Sequence, residues 1–206
     1  MKTTQVRLLY PSNVKTADVQ AVLRGISSLG KFGVLVDHST IDRKAIRPVR
    51  LGRYLRRIME AEGPQTVDFK AFGVRLADIF AISNKDVLGF GLMVPELFLI
   101  DKDGKEQHPS IGAGRYNDVA LLSLFGFEEI KEPNMRLRAI EVAARHEAGH
   151  LFRKGHCAEP SCVMQEKPVR IESMIFKREF CRTCEGQIQA NVNLREYELN
   201  HIAGVG

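Results

Sequence analysis

The 206-residue sequence lacks a long apolar run, an internal repeat and a low-complexity tract. A membrane-spanning helix needs about 20 consecutive apolar residues, so we expect a soluble protein without a membrane partner. The apolar run before Pro11 is too short for a secretion signal, which predicts a cytoplasmic protein. The length is typical of one domain with its own core, and we expect that domain to be a monomer.

Aromatic residues are scarce, at 7% of the chain, and no nucleic-acid-binding fingerprint accompanies its densest basic stretch. The formal charge of +5 permits an acidic or nucleic-acid partner without requiring one. We interpret the basic stretch as a solvated helix face, so a nucleic-acid partner is not expected. Its basic residues are Arg43, Lys44, Arg47, Arg50, Arg53, Arg56 and Arg57.

The apolar pattern predicts an α/β fold. Short apolar runs bounded by turn residues predict strands at Val6–Tyr10, Phe32–Val36, Val87–Val94, Leu97–Ile100 and Val119–Leu124. The segment Lys105–Asn117 is rich in glycine and polar residues, and we expect an exposed loop there.

Helical spacing of apolar residues predicts two helices and a weaker third, and a run of strong helix formers predicts one more. The first carries Val19, Val22, Leu23 and Ile26 on one face, with Gly30 closing it. A second apolar stripe, from Leu51 to Met59, ends at Gly63 and Pro64, and Phe69–Ile82 has the poor periodicity of a further short helix. A long helix is expected after Pro133, with Asn134 as its N-cap.

The long helix carries the motif HEAGH, residues His146 to His150. The two histidines are four residues apart, so they lie on one helix face and can bind one zinc ion. Glu147 lies beside them and can take a proton from a zinc-activated water. His156 is the natural third ligand if the helix ends and the chain doubles back. The alternative is an incidental match on the surface of a helix.

The four cysteines all lie in the last quarter of the chain as two pairs, Cys157 with Cys162 and Cys181 with Cys184. A reducing cytosol disfavours disulfides between them. Two pairs at this spacing predict a closed four-thiolate structural zinc site. Buried free thiols and a redox C-x-x-C are the alternatives.

The order of these ligands resembles that of the archaemetzincin family of zinc metalloproteases, in the metzincin clan. The matching segment, His146 to Cys184, contains H-E-x-x-H, a third histidine followed directly by cysteine, a second cysteine five residues later, Met164, and C-x-x-C. The resemblance implies that three histidines bind catalytic zinc, that Glu147 is the general base, and that four cysteines bind a second zinc. It also implies that Met164 lies in the turn beneath the catalytic metal, although an ordinary core methionine would look the same in sequence.

The resemblance further implies a twisted, mixed but mostly parallel sheet with a backing helix, an active-site helix and a small C-terminal subdomain. Leu97–Ile100 would be the antiparallel edge strand, along which an extended peptide could pair. We expect one metalloprotease domain over residues 1–206, with an N-terminal subdomain at 1–156 and a C-terminal subdomain at 157–206.

The sequence departs from the family pattern in two places. Arg153 stands where the family has glycine, three residues after the second histidine, and the tract between Met164 and Cys181 is about one residue short. The chain must reverse direction before His156, which glycine does easily at positive φ. We predict that Arg153 itself takes positive φ, with Gly155 as the alternative turning residue.

These features favour a zinc-dependent peptidase that acts on peptides or unfolded protein segments and needs no organic cofactor. Two zinc ions per chain are expected, one catalytic and one structural. The alternative function is an inactive zinc-stabilised protein whose basic stretch binds an acidic partner or nucleic acid. The presence of Glu147 argues against that alternative.

Overall fold

The computed structural model describes residues 3–41, 66–68, 87–94, 96–100, 106–107, 112–115, 119–165, 175–176 and 179–201. The helices in these ranges are α1 (Thr16–Ser27), α2 (Pro133–His150) and α3 (Arg182–His201). The strands are β1 (Gln5–Pro11), β2 (Leu35–Ile41), β3 (Thr66–Asp68), β4 (Val87–Met93), β5 (Glu96–Ile100), β6 (Glu106–Gln107), β7 (Gly112–Arg115) and β8 (Val119–Ser123).

Five strands form the main sheet in the order β2-β1-β4-β8-β7. The first four are mutually parallel, and β7 runs antiparallel to β8 at the edge. A smaller sheet has the order β3-β5-β6. The expected α/β fold with a mixed, mostly parallel sheet is therefore confirmed.

The position predicted for Leu97–Ile100 is wrong. A strand forms there, but β5 belongs to the small sheet and pairs in parallel with β3. The antiparallel edge of the main sheet is β7, within the segment that we expected to be a loop. Its sequence GAGR lacks the alternating apolar residues that mark a strand, so only its backbone pairing with β8 reveals it.

The central strands are covered on both faces. Every residue of β4 is buried, as is every residue of β8. Every second residue of β4 lies on the same face of the sheet. On one face Leu88, Phe90 and Leu92 join a large apolar cluster that also contains Ala120 and Leu122. A parallel strand buried on both faces reads as a continuous apolar run, which explains why both strands were evident in the sequence.

Helices α1 and α2 pack closely against each other, and α2 also lies against β7 and β8. A Cβ added to Gly25 would come within 2.3 Å of the Glu141 carbonyl oxygen, so only glycine permits this approach. The Arg136 guanidinium donates to both carboxylate oxygens of the buried Asp18, at 2.5 and 2.9 Å. These contacts fix α2, which carries the HEAGH motif, over the sheet.

The end of the first helix differs from the prediction. After Ser27 the chain continues as a 3-10 turn over Ser28–Phe32, and Gly33, at φ 85°, makes the reversal that we assigned to Gly30. Leu29 and Phe32 are both buried, so the tighter turn brings two more apolar side chains to the core. The following strand consequently begins at Leu35 rather than at Phe32.

The start of α2 also differs. Its N-cap is Glu132, whose carboxylate accepts from the backbone N–H groups of Asn134 and Met135 at 3.0 and 2.5 Å. Pro133 is therefore the first helical residue, a position where its fixed φ and missing N–H cost nothing. The capping role expected of Asn134 is wrong because the helix begins two residues earlier, with Glu132 as its N-cap.

Several predictions lie outside the described residues. They include the basic stretch from Arg43 to Arg57, the helix from Leu51 to Met59 and the segment Phe69–Ile82. None of the helices in the described part of the chain combines the length and apolar content that a membrane crossing requires.

Candidate active site and metal centres

The last two turns of α2 carry His146, Glu147 and His150, all buried. One ligand nitrogen from each of these histidines and one from His156 lie within 4.8 Å of one another. His156 is exposed, and its ring centroid lies 5.4 Å from that of His146 and 5.1 Å from that of His150. The structure therefore brings together the three histidines that the sequence singled out.

Backbone carbonyls orient the two helical histidines. His146 Nδ1 lies 2.7 Å from the Val163 carbonyl oxygen, and His150 Nδ1 lies 2.7 Å from that of Lys154. A carbonyl only accepts, so each Nδ1 carries the proton and each Nε2 presents a lone pair. This is the tautomer that a metal-binding histidine needs.

The two Nε2 atoms lie 3.2 Å apart. Tetrahedral zinc with bonds of 2.0–2.1 Å holds two nitrogen ligands about 3.3 Å apart. Two unprotonated nitrogens this close suit a cation between them. Burial lowers the pKa of His150 to about 4, which keeps its ring neutral and able to bind metal at pH 7. The three histidines therefore fit a zinc ion.

The turn after α2 carries His156 back to the other two histidines. Leu151, Phe152 and Arg153 donate their N–H groups three residues back, which tightens the helix end. Arg153 then takes φ 54°, the only positive-φ non-glycine residue in the described part of the chain, whereas Gly155 does not have positive φ. The prediction that Arg153 makes the reversal is confirmed. The Asn191 side chain, on α3, holds this turn by donating to the Phe152 carbonyl at 2.8 Å.

Glu147 is buried beside the histidines. Its Oε2 atom has no hydrogen-bond partner among the described residues. Burial raises the pKa of Glu147 to about 8, because the charged form loses its hydration. An unpaired buried carboxylate next to three nitrogens that could hold a metal ion is suited to exchanging a proton with a water there.

The four cysteines form a second cluster, with sulfur atoms within 4.8 Å of one another and without disulfides. The Sγ atoms of Cys157 and Cys181 lie 3.8 Å apart, and those of Cys162 and Cys184 lie 3.6 Å apart. Zinc bound to four thiolates at 2.3 Å holds neighbouring sulfurs about 3.8 Å apart. The cluster therefore has the spacing of a structural zinc site rather than that of a disulfide.

Backbone N–H groups support thiolates in this cluster. Cys162 Sγ accepts from the N–H groups of Cys181 and Met164, at 3.3 and 3.4 Å, and Cys157 Sγ accepts from that of Glu159 at 3.5 Å. A backbone hydrogen bond from Cys184 lowers the pKa of Cys181 to about 7, whereas burial raises the pKa of Cys162 and of Cys184. Four thiols this close could ionise together only around a cation such as zinc.

Met164 is fully buried directly beneath α2. A Cβ added to Gly149 would lie 2.5 Å from the Met164 Sδ atom and 3.1 Å from a Phe180 ring carbon. The glycine within the HEAGH motif therefore permits the methionine to touch the helix between His146 and His150. The Met164 carbonyl accepts from the Cys157 N–H at 2.8 Å. This hydrogen bond joins the two ends of the segment from Cys157 to Met164, which lies between the histidine and cysteine clusters.

Sequence reasoning missed the groups that position the histidines. The carbonyls of Val163 and Lys154 leave no signal in the sequence, because any residue type supplies a carbonyl. Helix α3 was also missed, although Cys184, Ile188 and Val192 are all buried and recur every four residues.

The described residues thus contain one cluster of three histidines and one of four cysteines, each able to hold a metal ion. No protein-family model matches the chain. Two curated relatives do: an archaemetzincin of Pyrobaculum aerophilum, 27% identical over 99 residues, and one of Methanopyrus kandleri, 33% identical over 61 residues. These matches cover 48% and 30% of this chain and only 63% and 35% of the relatives' own lengths.

Solved structures extend the likeness over nearly the whole chain. The archaemetzincin of Methanopyrus kandleri has a TM-score of 0.64 at 16% identity, covering 93% of this chain and 97% of that one. A zinc-dependent peptidase of Methanocorpusculum labreanum has a TM-score of 0.55 at 21% identity, covering 89% and 99%. The resemblance to archaemetzincins and the expected fold class are therefore confirmed.

Proposed function

We propose that the protein is a zinc-dependent peptidase of the archaemetzincin type. In this proposal His146, His150 and His156 bind the catalytic zinc. The observation that carries it is the pair of Nε2 atoms, 3.2 Å apart, whose rings are held by carbonyls in the metal-binding tautomer. The names of the relatives, archaemetzincin and zinc-dependent peptidase, support the same chemistry.

The bound zinc would supply Lewis-acid activation of water and of a peptide carbonyl. Glu147 would accept a proton from the attacking water on its unpaired Oε2 and return it to the amine that leaves. Because the carboxylate is buried, it holds the proton more tightly than an exposed glutamate would.

The second part of the proposal concerns the supporting structure. Cys157, Cys162, Cys181 and Cys184 would bind a structural zinc, and Met164 would form the floor beneath the histidine centre. The whole chain would act as one catalytic domain, with residues 157–206 forming the C-terminal subdomain. Free thiols in place of disulfides support a cytoplasmic location.

Replacing Glu147 tests this assignment. We expect Glu147→Ala to retain the metal content of the wild type and to lose on the order of 10²- to 10⁴-fold in peptide hydrolysis, because the side chain moves protons and holds no ion. Metal analysis and a quenched fluorescent peptide library measure the two properties. Glu128→Ala is the matched control, because Glu128 is an exposed glutamate on the turn before α2.

Equal hydrolysis by Glu147→Ala and wild type would contradict the assignment. Wild-type protein that holds zinc at the histidines yet cleaves no peptide would instead favour the inactive binding protein. In that case a salt-sensitive affinity for nucleic acid would identify the kind of partner.

A further inference from the structure

A buried arginine directly precedes the first histidine of the motif. Arg145 is buried within α2, with a side chain 7% exposed. Its Nη1 atom lies 2.8 Å from Glu179 Oε1, and its Nη2 atom lies 3.3 Å from Glu141 Oε1. A buried guanidinium is costly unless it is paired, so these two carboxylates determine where the side chain lies.

Glu179 also contacts the segment that orients His146. Its backbone carbonyl accepts from the Val163 N–H at 2.9 Å, and the Val163 carbonyl accepts from His146 Nδ1 at 2.7 Å. Four links thus form a closed ring. They run from Arg145 to the Glu179 carboxylate, through the Glu179 and Val163 backbones to His146, and back along the helix to Arg145.

We propose that Arg145 and Glu179 are positioning residues that hold the Val163 carbonyl against His146 and so raise the affinity of the histidine centre for metal. The effect on metal affinity rests on the proposed function, whereas the ring of contacts is present in the structure. A hydrogen-bond partner that orients a metal-binding histidine typically contributes 10- to 100-fold in affinity. The hydrogen bond from the Val163 N–H to the Glu179 carbonyl helps to hold the Val163 carbonyl in place, and the Arg145–Glu179 ion pair keeps that segment against α2.

The chain offers a mild way to break the ring. The Glu179 side chain is 62% exposed, so its replacement should not prevent folding. Arg145 keeps Glu141 as a partner when Glu179 is removed, so no unpaired buried charge is created. Asp37→Asn is the matched control. Asp37 is 59% exposed and forms a separate ion pair with Arg7, on β1, at 3.1 Å.

The test uses protein loaded with cobalt(II) at both centres and equilibrated with increasing chelator. Thiolate-to-cobalt charge-transfer absorption reports the cysteine centre, and the weaker visible bands report the histidine centre. We expect Glu179→Ala to lower cobalt affinity at the histidines by on the order of 10- to 100-fold, and Glu179→Gln by less, because an amide oxygen still accepts from Arg145. Asp37→Asn should match the wild type at both centres.

Wild-type affinity at the histidines in both Glu179 variants would overturn the proposal. An equal loss at the two centres, together with a lower melting temperature, would also overturn it, because that pattern indicates a purely structural ion pair. If the affinity loss is confined to the histidines but wild-type protein cleaves no peptide, the positioning pair stands and the proposed function fails.

Discussion

Arg153 shows how a single residue can keep a strained conformation. It has φ 54°, and an L-residue in the left-handed region costs roughly 1–2 kcal/mol. The turn around it is fixed by the Asn191 side chain on the Phe152 carbonyl and by the Lys154 carbonyl on His150. The conformation was predictable because His156 has to return within a few residues. The groups that enforce it come from α3 and from the backbone, and neither is visible in the motif.

We predict that Arg153→Gly stabilises the protein by about 1 kcal/mol relative to Arg153→Ala, because glycine adopts positive φ without strain. Comparison with alanine removes the contribution of the arginine side chain, which both variants lose. Urea denaturation of the zinc-loaded protein measures the difference. Equal free energies of unfolding for the glycine and alanine variants would show that the turn stores no strain.

At the scale of elements, the contact between α1 and α2 determines where the HEAGH motif lies. The contact depends on Gly25, which lies against the Glu141 backbone and the Ala144 side chain. Apolar spacing predicted α1, and a run of strong helix formers without internal proline predicted α2. Their ends were less predictable. A capping carboxylate from Glu132 and a 3-10 extension after Ser27 depend on local geometry that apolar spacing does not report.

Gly25→Ala should lower the free energy of unfolding by about 1–3 kcal/mol, because the new methyl group meets helix backbone that cannot move aside cheaply. Gly186→Ala is the matched control within α3, where an added Cβ meets nothing within 4 Å. There the same change should raise stability by about 0.5–1 kcal/mol through helix propensity. Thermal denaturation compares the two. A Gly25→Ala protein as stable as Gly186→Ala would exclude close packing of α1 on α2.

At the scale of the whole molecule, two ligand clusters share one short segment of chain. His156 and Cys157 are consecutive, and Cys162 lies two residues before Met164. The sequence predicted both clusters because ligand spacing is local. It could not predict that β7 rather than β5 forms the antiparallel edge of the main sheet, because strand partners are chosen by tertiary packing between distant segments.

The shared segment predicts that losing the cysteine metal destabilises the whole chain. Wild-type protein should contain two zinc ions and Cys181→Ser one, with a lower melting temperature, because structural zinc contributes directly to folding free energy. Thr183→Ser is the matched control, since Thr183 is exposed between Cys181 and Cys184 and should change neither property. Metal analysis and calorimetry measure both. Two zinc ions retained by Cys181→Ser would contradict the four-cysteine centre. A wild-type protein with a single zinc ion, bound to the histidines, would also contradict the four-cysteine centre. It would leave the peptidase proposal intact.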